Sequence, residues 1–393
     1  MISVDEAVAR IVAGFAPVGS ETVSIDAAAG RTLAEAAIAQ ADQPPAPVSS
    51  MDGYAVRAGD GPELRVIGTS PAGRPFTGKV GAGEAVRIFT GGVVPGGADA
   101  IVIQEDTQTR GDAVILKEPA TAGRHIRPAG LDFKQGQALA SAGHRLTARD
   151  VSLLAAGDVA RVTVRRRPRI AFVATGDELS RPGEARKPGG IVASSGYGLA
   201  AMIAAWGGEA RDLGLLPDDA EAIARLPRLA GDADLIVTLG GASVGDHDLV
   251  QRALGPQGFV LDFWKIAMRP GKPLIFGRLG ATPLLGLPGN PVSTLVCAIL
   301  FLEPAIAAML GAATTQTILS ARLMRDLPAN DGRQGYLRAR LEIRDGETWI
   351  DPFAVQDSSM LSILASADAL AIRPPRAPAA RQGDRVDYLL LEK

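Results

Sequence analysis

Cysteine and histidine are nearly absent from this 393-residue chain: Cys297 stands alone, and the histidines are His125, His144 and His247. A lone cysteine excludes a disulfide framework within the chain, and so few sulfur and imidazole groups exclude a zinc cluster of the Cys/His type. Neither sign of charge is in excess, with 41 Lys plus Arg against 43 Asp plus Glu for a formal net charge of -2. No global field therefore draws the chain to nucleic acid, and any anion it binds is held locally. Long apolar runs are missing too. Residues 295–302 are too few to span a bilayer and Glu303-Pro304 interrupts them, which excludes a membrane helix. Asp5 and Glu6 occupy the place of a basic signal region, so no secretory signal is read and a cytoplasmic protein is expected. No Gly-x-Gly-x-x-Gly follows the first buried strand, which removes the case for a dinucleotide dehydrogenase.

What is present is ordinary globular composition, 47% hydrophobic and 21% charged, on a chain long enough for about two to four domains. Val4, Ala7, Val8, Ile11 and Val12 recur at helical spacing, with Ser3 as N-cap, Glu6 completing a capping box and Gly14 ending the helix. Residues 40–47 (QADQPPAP) break the helical pattern and open a β-rich unit with apolar segments at 64–67, 85–88 and 100–103. Residues 146–156 read as helix and 159–164 as strand, and the basic run 165–169 (RRRPR) reads as a solvated link. Beyond it, strands at 170–174 and 235–239 alternate with helices at 199–206 and 222–229, the pattern of a doubly wound, mostly parallel α/β sheet. From about 317 the pattern returns to β, with Asp345-Gly346 as a hairpin turn and a short helix at 360–365.

The resulting fold class is multidomain α/β plus β. An elongated N-terminal/linker domain takes 1–38 with 137–168, a β-rich inserted domain 39–136, a central α/β domain 169–316, and a small C-terminal β-barrel domain 317–393.

Four polar loops follow apolar strands of the α/β part: Thr175-Gly176-Asp177-Glu178-Leu179, residues 240–248 (GGASVGDHD), Arg269-Pro270-Gly271-Lys272, and Leu287-Pro288-Gly289-Asn290-Pro291. Parallel strands would bring all four to the carboxyl edge of the sheet, where ligands of open α/β folds bind. Gly240 and Gly241 let backbone amides approach an anion. Asn290 and Pro291 suit the N-cap and first position of a helix running to Leu310, an anion-attracting terminus. Lys265, Arg269 and Lys272 add positive charge, and Asp177, Glu178, Asp246 and Asp248 add carboxylates. That mixture suits a phosphorylated substrate held with Mg²⁺, which needs only one or two protein carboxylates. Each piece also has a plain structural reading: paired glycines as a turn, Asp177 as a helix cap, His247 as a solvated loop residue, Cys297 as core.

These loops, with Ser50-Met51-Asp52-Gly53-Tyr54-Ala55-Val56, Arg87-Ile88-Phe89-Thr90-Gly91-Gly92, Pro95, Gly97-Ala98-Asp99-Ala100, and the segment from Gly123-Arg124-His125-Ile126-Arg127 to Asp132, resemble the molybdopterin molybdenumtransferase family of molybdenum cofactor biosynthesis. The C-terminal domain of gephyrin belongs to the same family, and the resemblance covers essentially the whole chain. It implies a Mg²⁺-dependent, homodimeric enzyme that takes adenylylated molybdopterin and molybdate, releases AMP and leaves molybdenum on the pterin dithiolene. By motif position it implies catalytic roles for Asp52, Thr90, Glu178 and Asp248, with Glu178 and Asp248 also at the metal. It implies substrate contacts from Asp132, Asp218, Gly240, Gly241, Ser243, Lys265, Arg269, Lys272, Pro288, Asn290 and Pro291. Other cofactor-biosynthesis enzymes or apo-molybdoenzymes are implied as partners, and neither nucleic acid nor membrane.

Two departures stand out. Ala193-Ser194-Ser195 replaces the family's usual Asp-x-Asn, and Arg269 stands where a lysine is common, a planar fork in place of a point charge. The alternatives are a non-catalytic molybdopterin carrier or scaffold, a paralogue with altered pterin substrate, or an adenylyltransferase acting one step earlier.

Overall fold

The computed structural model describes residues 1–240, 250–314 and 316–391. The chain forms two units, one of Thr22–Val164 and one of Met1–Glu21 with the chain from Arg165 onward. Helix Val4–Ala13 thus belongs with the α/β part and not with the unit of residues 137–164, because its apolar face of Val4, Ala7 and Ile11 completes the core around Phe301 and Ile306. Ser3 caps it through the Glu6 amide, but the Glu6 carboxylate turns to Arg10 at 2.6 Å, so the capping box is half made.

The Thr22–Val164 unit contains a six-stranded sheet. Its strands are β1 (Gly53–Val56), β2 (Glu63–Ser70), β3 (Glu84–Ile88), β4 (Ala100–Ile103), β5 (Thr107–Arg110) and β6 (Ala113–Leu116), in the order β4-β1-β3-β2-β6-β5. Only β2 and β3 pair in parallel. Strand β1 is buried throughout, and a Cβ at Gly53 would lie 2.1 Å from the Val102 carbonyl oxygen, so only glycine admits this pairing. Helix Ala148–Ala156 in the same unit has a full capping box between Thr147 and Asp150.

In the second unit, β7 (Arg169–Thr175), β8 (Glu209–Leu216), β9 (Leu235–Leu239), β10 (Phe259–Trp264), β11 (Ile275–Leu279) and β12 (Thr282–Leu287) make a sheet ordered β8-β7-β9-β12-β11-β10. Strands β8, β7, β9 and β12 are parallel, and β11 alone runs opposite, so β10 returns to the common direction. Successive β7 residues bury on opposite faces. Phe172 packs with helices Ser195–Ala205 and Pro291–Leu310, and Ala171 and Val173 pack with the layer holding Leu226 and Leu254. Burial on both faces explains the unbroken apolar runs of β7 and β9. The chain after β7 crosses to β8 on one side and then to β9 on the other, which places a topological switch point between β7 and β9.

Several expectations change on contact with the structure. The basic run is no solvated link: Arg166 makes paired bonds of 2.7 and 2.6 Å to Asp234, whose carboxylate also accepts the Arg169 amide, and Arg165 donates to the Val18 carbonyl. Guanidinium forks fix the entry to β7. The expected helix at 222–229 is two short ones, Ala220–Ile223 and Leu226–Ala230, split where Pro227 opens the second. Glu303-Pro304 interrupts the apolar run without ending the helix, which reaches Leu310 as expected from its Asn290-Pro291 start. The chain widens into a π turn over Ala298–Leu302, which takes up the hydrogen bond that proline cannot make, and Gln316 donates to the Ile299 carbonyl at 2.6 Å. The resulting 20-residue helix Pro291–Leu310 is long and apolar enough to cross a membrane, yet its most apolar 18-residue stretch is 72% buried as the spine of the unit.

The C-terminal part of this unit is a closed barrel of β13 (Ile318–Leu323), β14 (Gln334–Arg344), β15 (Glu347–Pro352), β16 (Ala369–Arg373) and β17 (Arg385–Leu390). Asp345 and Gly346, at φ 50° and 78°, form the two-residue hairpin turn between β14 and β15. The expected short helix is Leu361–Ala365.

Candidate functional site

Five strand ends of the α/β sheet present polar loops at one edge. After β7, Gly176 turns the chain so that the Glu178 carboxylate folds over it; a Cβ at Gly176 would lie 2.7 Å from Oε2. Glu178 is exposed, and its side chain has no hydrogen bond or ion pair among the described residues. Neither Asp177 nor Glu178 caps a helix, since the next helix begins at Ser195, so the structural reading of Asp177 as a cap falls away. Asp218 is exposed beyond β8, where its neighbour Asp219 caps helix Ala220–Ile223.

After β9, Gly240 donates its amide to the Leu287 carbonyl at 3.1 Å and sits against Thr175 and Gly289. Its φ of 94° and the 2.9 Å from its would-be Cβ to the Thr175 carbonyl oxygen both require glycine. Gly241, Ser243 and Asp248 lie outside the described residues. The Thr175 and Thr238 hydroxyls, to which the sequence reading gave no role, are buried here without a hydrogen-bond partner among the described residues. Only Thr175, at its strand end before Gly176, carried a hint in the sequence.

The hairpin between β10 and β11 carries the cations. Lys265, at φ 73°, lays its ammonium 3.5 Å from the centroid of the Trp264 ring. Arg269 is exposed, 3.9 Å from Asp331, whose carboxyl the closer Arg333 guanidinium holds down at about 2. Lys272 is exposed with no ion-pair partner among the described residues. The hairpin is pinned to the barrel through Met268 and Arg269, which pair with Gln334 and Gly335 of β14. Beneath it lies Cys297, whose Sγ would be 2.3 Å from a Cβ at Gly271; complete burial pushes its thiol well above the usual range, so it is core and no nucleophile.

After β12, Pro288 is buried and Pro291 opens the long helix. The Asn290 side chain does not cap it. Its amide donates to Ser358 Oγ at 3.0 Å, the Val292 amide donates to the Ser358 carbonyl at 3.1 Å, and Thr294 Oγ1 donates to the Pro288 carbonyl at 2.6 Å. One of the helix's first amides is therefore spent on the chain itself, and the anion-attracting terminus is narrower than expected. Ser358 belongs to a strap that the sequence did not mark: Gln356 bonds both the amide and carbonyl of Arg338, and the fully buried Arg338 guanidinium donates to the Asp357 carbonyl.

In the Thr22–Val164 unit, Asp52 and Thr90 meet directly. Asp52 Oδ1 accepts from the Thr90 amide at 2.7 Å and from Thr90 Oγ1 at 2.8 Å, and the amide bond chiefly holds the carboxyl below its ordinary pKa. The turn that presents Thr90 is closed by Gly91 and Gly92, which bond both ways with Ser49. Arg87 braces the other side, spanning the Tyr54 and Phe89 rings and donating to the Gly53 carbonyl and Gln104. His125, at φ 59°, accepts from the Ser50 amide and hydroxyl just ahead of Asp52. Asp132 is exposed; its amide bonds the Gln43 carbonyl, and no bond joins it to Asp52.

Comparison with known proteins agrees along the chain. Residues 2–157 match the MoeA N-terminal region (domain I and II), 171–308 a probable molybdopterin binding domain, and 320–391 the MoeA C-terminal region (domain IV). A molybdopterin molybdenumtransferase of Nostoc sp. is 34% identical, with 90% of this chain and 85% of that protein covered. One of Bacillus subtilis is 32% identical over 100% and 94%. The crystal structure of a molybdopterin biosynthesis MoeA protein from Pyrococcus horikoshii OT3 superposes with a TM-score of 0.86 at 28% identity, covering 100% of both chains. With its whole length matched, this chain belongs to the molybdopterin molybdenumtransferase family and is a transferase of molybdenum cofactor biosynthesis.

Proposed function

We propose that the chain takes adenylylated molybdopterin and molybdate and transfers molybdenum to the pterin with release of AMP, in the cytoplasm and as a homodimer. The observation that carries this reading is the α/β edge, where the Glu178 carboxylate and the Lys272 ammonium, each without an ion-pair partner among the described residues, stand on loops of the same sheet edge. Lys265, Arg269 and Lys272 hold the substrate's phosphates as charge-assisted partners, with Gly240 and Gly241 lending close backbone approach and Pro288, Asn290 and Pro291 shaping the helix entrance. Asp218, Asp132 and Ser243 complete the substrate contacts.

Glu178, the described member of the proposed donor set, fits Mg²⁺: its carboxylate has no partner among the described residues and suits an ion that takes one or two protein ligands and otherwise binds water and phosphate. Glu178 and Asp248 would hold it, and the ion would supply charge neutralisation at the phosphates. Asp52 stays ionised over the working pH range because Thr90 donates to it twice, ready to orient a proton or water at the reacting group. The other cofactor-biosynthesis enzymes, or the apo-molybdoenzymes that receive the product, are its proposed protein partners.

The test is AMP release from adenylylated molybdopterin by the purified chain. AMP should appear only when molybdate and Mg²⁺ are both present; pterin bound with no AMP formed would reduce the site to a carrier's.

A further inference from the structure

Arg87 has more partners than a half-buried strand residue needs. It lies on β3 directly opposite Tyr54 of β1, with its guanidinium carbon 5.0 Å from the centroid of the Tyr54 ring and 5.0 Å from that of Phe89. Nη1 donates to the Gly53 carbonyl at 3.2 Å and Nη2 to Gln104 Oε1 at 2.6 Å. Two rings attract the planar cation while two hydrogen bonds fix its edge, so an ordinarily mobile side chain is locked.

Each partner leads to Asp52 or Thr90. Gly53 follows Asp52 in the chain, so the bond to its carbonyl holds the C-terminal side of the Asp52 peptide. Gln104 opens the 3-10 turn Gln104–Asp106 after β4 and donates its amide to the Asp52 carbonyl at 3.1 Å. Its side chain is oriented from both ends, with Nε2 donating to Glu105 at 3.1 Å and Oε1 accepting from Arg87. Phe89 immediately precedes Thr90, whose amide and hydroxyl hold the Asp52 carboxylate. One guanidinium fork therefore ties together the three chain segments that set the Asp52–Thr90 pair. The Thr90 bonds do most to keep the Asp52 carboxyl below its ordinary pKa, and the Arg87 charge adds to them.

We infer that Arg87 is a positioning residue of the transfer reaction, acting through Asp52 and Thr90 by fixing where both stand before substrate arrives. The inference rests on the proposed role of Asp52. Fold maintenance does not require this fork, because the pairing of β1 with β3 is secured by the register of Gly53 with Ile88 and of Ala55 with Val86 and by the complete burial of Ala55, Val86 and Ile88. Lysine would keep the charge and lose the function. A point charge on a flexible stem cannot lie against two rings and reach Gly53 and Gln104 at once.

The test compares Arg87→Lys and Arg87→Met with the parent in the full chain, with thermal melting to confirm folding; should Arg87→Met not fold, Arg87→Lys carries the kinetic test alone. AMP release gives kcat and KM. Carbon-13 NMR titration of carboxyl-labelled aspartates, with the Asp52 signal assigned by its loss in Asp52→Asn, reads the Asp52 pKa without substrate. Both variants should lose about tenfold to a hundredfold in kcat, the scale of a misplaced reacting group, and keep KM within about twofold, since the substrate's own contacts are untouched. The Asp52 pKa should rise in Arg87→Met, which loses the charge, and rise less in Arg87→Lys, which keeps it. Parent-like kcat in either folded variant, a loss confined to KM, or an unmoved Asp52 pKa in Arg87→Met would each overturn the assignment. Asp52→Asn separates this failure from that of the reading beneath it. Slow AMP release by Asp52→Asn beside parent-like Arg87 variants keeps Asp52 in the reaction and removes only Arg87, whereas parent-like release by Asp52→Asn removes Asp52 and Arg87 with it.

Discussion

Two of the three carboxylates proposed for chemistry, Asp52 and Glu178, are held in opposite ways. Asp52 is fastened at the end of β1, with one oxygen bonded twice by Thr90 and the strand behind it locked by Gly53. Glu178 hangs over Gly176 with no partner among the described residues. A fastened carboxylate is oriented before substrate arrives and remains charged at lower pH; a free one keeps its lone pairs for a cation or a water. The difference teaches that one acid is set by the protein and the other is left for the ligand to set.

If that is so, neutralising the free acid does the most damage. Glu178→Gln, and separately Asp248→Asn, should lower the AMP release rate about a hundredfold or more, the scale of a lost acid-base or metal-bound group. Parent-like rates in both folded variants would make the edge a binding surface only. Next in size is the cation side. Lys272→Ala should weaken binding of adenylylated molybdopterin about tenfold or more, as for the loss of a charge-assisted hydrogen bond; calorimetry reads it, and unchanged affinity would remove Lys272 from the phosphate site.

The smallest effect sharpens the contrast itself. Thr90→Val removes the hydroxyl donor to Asp52 and leaves the amide, so the Asp52 pKa should rise part of the way to its ordinary value. The sign follows from the depressed folded pKa. The stabilisation it represents is present above the unfolded value and is lost as pH falls through the folded one, so Thr90→Val narrows the acid-stable range. The acid limb of kcat/KM against pH should move upward in Thr90→Val and stay in place in Thr90→Ser. An unmoved limb would mean that Asp52 is not the group titrating.

Much of this was legible in the sequence because it rests on local signals. The runs of β7 and β9 are apolar because both faces are buried, Asp345-Gly346 turns as its residue types require, and the strand-end loops gather at one edge even though β11 runs against the rest. What escaped depends on distant partners. Nothing near 165–169 announces Asp234 across the sheet, and nothing near Asn290 announces that Ser358 of the barrel takes both its side chain and the next amide. The helix to Leu310 was expected, but the π turn that carries it past Pro304 escaped because periodicity does not show it. The Asp52–Thr90 pair was reached through resemblance, since 38 residues separate two groups that only the sheet brings together.

We propose further that Asp52 with Thr90 from one chain and Glu178 with Asp248 from the other serve one reaction in the proposed homodimer. Co-expression of an Asp52→Ala chain with a Glu178→Ala chain tests it directly, because a mixed dimer would hold one intact site and one doubly damaged site. The account predicts AMP release by the purified mixed dimer well above that of either single variant. Mixed dimers that fold and assemble yet stay as inactive as the single variants would contradict it.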